Sequence, residues 1–222
     1  MTDEQPLDKF SADLEQSLAS ADIATLTDDE IDEMFDVVGS VGATHGEGLI
    51  PEIPILNTIW AISKTMGSIS NRLLAQKVIR FLRQLSTIPP KEREAFLARL
   101  EGNQWKRIRE QLFLVLDKHE SYRKSEIQAK LLGAWIREQL TEREFWDLTH
   151  TTSSVNIDAL DDLQRFYRDE LTWDLARAED GYSFAFLRVV GIDNSKIGTF
   201  GGGSPTFTKI PLSQKFVDII TA

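Results

Sequence analysis

Three consecutive glycines, Gly201-Gly202-Gly203, are of the residue type that lets a backbone cradle a phosphate. A Walker loop also needs Lys and Ser/Thr directly behind the glycines, and a dinucleotide loop needs a strand before and a helix after. Here Ser204-Pro205 follows, so the stretch is expected to form a hairpin tip. Glu144, Asp147 and His150 stand three apart and could share one face of a helix as metal ligands. The same spacing occurs on many solvated helices without a metal, and that is the reading adopted. The acidic run Asp28, Asp29, Glu30, Asp32, Glu33 and Asp36 has the charge of a calcium loop, but Glu33 occupies the position where such a loop needs Gly. A capping box at Thr27-Asp28-Asp29-Glu30 explains the first of these acids better. The chain has no Cys, which excludes disulfides, Cys-based zinc sites and a Cys nucleophile. Its histidines, His45, His119 and His150, form no His-x-x-x-His pair. These patterns imply no catalytic residue, no cofactor and no metal.

Basic residues offer a different chemistry. Lys64, Arg72, Lys77, Arg80 and Arg83 punctuate a long periodic segment that has no acid between Glu52 and Glu92. With Trp105, Lys106, Arg107 and Arg109 they make a candidate interaction surface that is basic and partly aromatic. Nucleic acid, an anionic membrane or an acidic protein could bind it. The alternative is a helix face whose charge is met inside the chain. Residues 1–52 hold fourteen acids and one base, a net of −13. Residues 53–109 hold eleven bases and three acids, a net of +8, and residues 110–222 carry −5. Such a split favours intramolecular charge balance between the first two stretches, and a mobile acidic segment there could mask the basic surface from an acidic partner.

The elements that position these residues are mainly helices. Residues 1–48 read as an acidic N-terminal segment with two short helices, the first with Phe10, Leu14 and Leu18 in a stripe, and then a Gly-rich loop. Ile55, Ile59, Ile62, Met66, Ile69 and Leu73 form a heptad-like apolar seam, continued after a one-residue shift by Leu74, Val78, Phe81 and Leu85. From Pro89 to about Tyr167 the periodicity predicts antiparallel helices with Phe96, Ile108, Leu112, Ile127, Leu131, Trp135, Leu160 and Leu163 inside. Thr141-Glu142-Arg143-Glu144 is a second capping box. After residue 168 the pattern changes: a Gly-, Asn- and Ser-rich stretch leads to the β-prone Thr206 to Ile210, and Pro211-Leu212-Ser213 opens a last helix with Phe216, Val217 and Ile220.

Two resemblances add to this. Residues 50–166, with Ile-Pro before a long helix, the Phe81-Leu82 end, the Phe96-Leu97 helix and the Lys130-to-Trp135 helix, resemble a set of bacterial helical proteins for which no activity is assigned. The tail resembles the end of winged-helix proteins, with Phe184 to Val190, Gly191-Ile192, Gly198 to Ser204, Thr206 to Ile210 and Ser213 to Ile220 in the places of helix, short strand, wing, second strand and closing helix. DNA-binding winged helices use basic residues on the recognition helix and wing. Here Arg188, Lys196 and Lys209 stand against Asp180 and Asp193.

The expectation is therefore an all-α antiparallel multi-helix bundle with a small, winged-helix-like C-terminal β-hairpin, divided as 1–48, 49–167 and 168–222. The acidic start lacks the basic and apolar pattern of a signal peptide, and no stretch reaches about 20 apolar residues. A cytoplasmic chain is expected. Its expected role is non-enzymatic interaction or regulation through helix surfaces, with a protein partner or self-association. The alternatives are nucleic-acid binding through the tail and membrane-surface binding through residues 49–85.

Overall fold

The computed structural model describes residues 16, 26–31, 69–101, 103–154, 156–170, 190–193 and 206–222. The chain divides into two compact units, residues 1–137 and 138–222. No described helix is long and apolar enough to cross a membrane.

The first unit is a helical bundle built on α1 (Ile69–Ser86), α2 (Pro90–Arg99), α3 (Gln104–Lys118) and α4 (Tyr122–Ile136). Val78, Phe81 and Leu85, spaced three and four apart in α1, are fully or almost fully buried. Each contributes about 1.5–3 kcal/mol by leaving water. They face mainly α4, whose Ile127, Leu131 and Leu132 are also buried, and then α3 through Ile108, Leu112 and Leu116. Leu73, expected on the apolar seam, is instead 40% exposed: the shift to Leu74 and Val78 turns the buried stripe past it. The rest of that seam, Ile55, Ile59, Ile62 and Met66, lies outside the described residues, as does the side chain of Ile69.

The helix ends follow from local chemistry. Ser86 donates its hydroxyl to the carbonyls of Leu82 and Arg83, closing α1. Pro89 and Pro90 then start α2, where a missing N–H costs nothing. Phe96 of α2 meets Trp135 of α4 edge-on at 5.0 Å between ring centroids. Ser121 caps α4 by accepting from the Arg123 amide at 3.2 Å. At its other end Arg99 donates to the Ile136 carbonyl at 3.0 Å. Glu138, in the left-handed region at φ 60, follows.

The second unit holds α5 (Glu142–Ser154), α6 (Ile157–Tyr167), strands β1 (Val190–Asp193) and β2 (Thr206–Lys209), and α7 (Pro211–Thr221). The division between the units falls between Arg137 and Glu138. Its cause is packing: α7 lies against α6, Lys215 reaches Glu144 of α5 at 2.8 Å, and Tyr167 holds the backbone of Ile210. Leu160 and Leu163 of α6 and Phe216 of α7 are completely buried. Helix α6 ends in a Schellman motif, with the Glu170 amide donating to the Arg165 carbonyl and the Asp169 amide to that of Phe166. Asp169 takes the left-handed position at φ 61. The strands pair antiparallel, Val190 opposite Lys209 and Asp193 opposite Thr206. The expected hairpin tip, Gly198 to Ser204, lies outside the described residues.

Candidate functional site

The basic face of α1 points inward at its C-terminal half. Lys77 and Arg80, expected at the surface, are 8% and 6% exposed. Their long apolar stems lie in the bundle, and their charged heads find partners distant in sequence. Lys77 Nζ donates to the Asp117 carbonyl at 2.9 Å, and burial lowers its pKa. Arg80 binds the Asp28 carboxylate and lies over the Tyr122 ring, 4.9 Å from its centroid. Arg83 binds Asp28 at 2.6 Å, Glu126 of α4 at 3.0 Å and the Leu26 carbonyl at 3.1 Å. Among the described residues, Asp28 of the acidic stretch thus meets Arg80 and Arg83 of the basic helix.

Asp28 is held for this contact by the capping box. Thr27 Oγ1 accepts from the Glu30 amide at 3.2 Å, while the Thr27 amide and hydroxyl donate to the Glu30 carboxylate at 2.8 Å each. Those two bonds, the backbone one first, lower the Glu30 pKa. Ile31, one residue beyond the box, is completely buried.

Beside this contact is a polar cluster at the α3–α4 turn. His119 is 2% exposed, and its Nδ1 lies 3.4 Å from the Ser125 hydroxyl, itself fully buried. Burial first, then the Lys124 and Lys77 ammoniums, lower the His119 pKa to about 4, so the ring is neutral at pH 7. Lys124, 1% exposed, places Nζ 2.5 Å from Glu120 Oε1. Tyr122 donates to Gln76 Oε1 at 2.6 Å. A Ser–His pair of this kind resembles part of a nucleophilic dyad, but both groups are shut off from solvent and the 3.4 Å contact is long for a hydrogen bond. As placed, the cluster ties α1 to the turn, and burial with the Lys124 and Lys77 charges keeps the ring neutral.

The other expected residues that are described do not join this site. Lys64 and the side chain of Arg72 lie outside the described residues. Trp105 is buried at 8% exposure, which corrects its expected place on an aromatic surface. Arg109 is half-buried. Lys106 and Arg107 are exposed, Lys106 with Glu110 4.0 Å away. Glu144 and Asp147 are occupied by Lys215 and Arg143, and His150 is exposed. In the tail, Lys209 is tied to Asp169 at 2.6 Å and to the Tyr167 carbonyl at 2.9 Å; Arg188, Lys196 and Gly201-Gly202-Gly203 lie outside the described residues.

Tyr122, Lys124, Glu126 and His119 had no assigned role in the sequence. A local signal existed for one pair: Glu120 and Lys124 stand four apart, the spacing of a helical ion pair. No signal ties Asp28 to Arg80 across 52 positions. No protein-family model, curated protein or solved structure matches the chain.

Proposed function

We propose that the chain is a non-enzymatic interaction or regulatory protein that works through exposed helix faces. The observation that carries this reading is the outer face of α3. Leu114 is 56% exposed there, in an exposed stripe with Arg107, Gln111 and Lys118 at helical spacing. An exposed leucine between two cations offers apolar contact, and the charges select an acidic complement. The fitting partner is a protein segment carrying an apolar residue flanked by acids, or a second copy of this chain. The interior placement of Lys77 and Arg80 leaves less basic surface for nucleic acid, and the burial of Val78, Phe81 and Leu85 leaves less apolar surface for a membrane. A cytoplasmic setting belongs to the same proposal, since a chain without Cys suits a reducing compartment. So does a winged-helix-like tail, supported by the strand pair β1–β2 leading into α7.

Co-purification from native cells tests the reading. The wild type is expected to bring down a defined protein, or to run as an oligomer. Leu114→Glu and Arg107→Glu are expected to abolish this at unchanged melting temperature. Folded variants that keep every association would remove the α3 face from consideration.

A further inference from the structure

We infer that Arg80 and Arg83 form a docking site for an acidic helical segment of a partner protein, occupied in cis by residues 26–31. The inference rests on the partner-binding reading above but uses a different face. The bundle brings two guanidiniums together and, among the described residues, places Glu126 3.0 Å from Arg83 and 3.9 Å from Arg80. Tyr122, fixed by its hydrogen bond to Gln76, supports Arg80 from its ring face. A further carboxylate comes from outside these helices: Asp28 binds both arginines. Asp28 is 60% exposed, so this contact sits at the edge of the bundle and not within it.

The cis occupant defines what the site recognises. It is a helical turn opened by a Thr–Glu capping box, with a carboxylate at the position after the cap and an apolar residue three further on. Asp28 supplies the charge and Ile31 the buried anchor. The site also accepts one backbone carbonyl, that of Leu26, on Arg83. A polynucleotide lacks the aliphatic anchor that Ile31 supplies. A surface ion pair alone holds weakly. A tether raises the local concentration of the cis segment to the order of millimolar, enough to hide such a site from a free competitor. Displacement of residues 26–31 by a partner with the same pattern then couples binding to release of the acidic segment.

The test uses the full chain and a labelled synthetic peptide of residues 24–36. The double variant Asp28→Ala/Ile31→Ala is expected to bind the peptide roughly tenfold or more tightly than the wild type does. That binding should weaken with salt and disappear when Arg83→Glu is added. The milder Asp28→Asn variant gives the same comparison, with a smaller gain, should the double variant not fold. A folded release variant that binds no better than wild type overturns the inference, as does peptide binding that survives Arg83→Glu. Tighter binding of a single-stranded oligonucleotide than of the peptide overturns it too. Leu114→Glu should leave peptide binding intact, so failure here is distinguishable from failure of the α3 face.

Discussion

Gly133 of α4 packs so closely on Ile88 that a Cβ added to the glycine would come within 2.9 Å of Ile88 Cδ1. Ile88 is 3% exposed, which limits how far its terminal methyl can retreat. Glycine in a helix interior costs about 1 kcal/mol relative to alanine. Overpacking a core costs about 1–3 kcal/mol. Gly133→Ala is therefore expected to destabilise by roughly 1 kcal/mol net, against its helix propensity. Ile88→Val removes the opposing methyl and alone costs about 0.5–1.5 kcal/mol. Denaturant melts of both single variants and the double should show a cost below their sum. Simple additivity would mean that the contact relaxes elsewhere.

The second capping box makes a stability claim with a pH dependence. Thr141 Oγ1 accepts from the Glu144 amide at 3.2 Å, and the Thr141 amide donates to Glu144 Oε2 at 2.8 Å. Thr141→Ala should cost about 1 kcal/mol. The Lys215 ammonium, followed by the Thr141 backbone N–H, holds the Glu144 carboxyl below its usual pKa. The folded state thus favours the ionised form, and its contribution is complete above the ordinary carboxylate range. It is lost as pH falls through the lowered folded value. Melting temperature against pH for wild type and Glu144→Gln should converge in acid and separate toward neutrality. Parallel curves would show that the box is decided by geometry alone.

Both capping boxes were legible in the sequence because their chemistry spans three residues. The helices between Pro89 and Tyr167 were legible too, because the periodic placement of residues such as Leu112, Leu116, Leu160 and Leu163 states which face is buried. Lys77 and Arg80 were misread as surface because a sequence shows charge and not depth. Their partners, the Asp117 carbonyl and Asp28, lie 40 and 52 positions away. The His119 cluster escaped notice because a lone histidine acquires its environment only when α1 places Lys77 beside the turn.

Lys124 and Glu120 are not symmetrical partners. The lysine side chain is 1% exposed and the glutamate 59%. Removing the carboxylate takes this counter-ion from a buried ammonium, a change that costs about 3–5 kcal/mol for fully buried pairs and less here, where water reaches the vacated position. Replacing the lysine by an apolar chain of similar shape avoids desolvating a charge. Lys124→Met is expected to be less destabilising than Glu120→Ala, and near neutral at pH 7. Chemical denaturation of the two variants orders them. A larger loss for Lys124→Met would mean that the ammonium does more than balance Glu120.

His119 gives the clearest pH signature. Its folded pKa is about 4, against a usual value of 6.5, because burial and then Lys124 and Lys77 disfavour the imidazolium. Between those two values the unfolded chain binds a proton that the folded chain refuses. Stability must then fall as pH drops from about 6.5 toward 4, and level off below. A shift of this size corresponds to about 3 kcal/mol at most. His119→Gln should flatten this part of the stability profile. Lys124→Met removes the cation with the larger effect on the ring and should raise the His119 pKa. With only three histidines in the chain, the ring protons can be followed directly by NMR. One imidazole signal should stay unshifted from pH 7 to about 5 in the wild type and move at higher pH in Lys124→Met. Ordinary titration of His119 near pH 6.5 in the folded wild type would show that the α3–α4 turn opens to water.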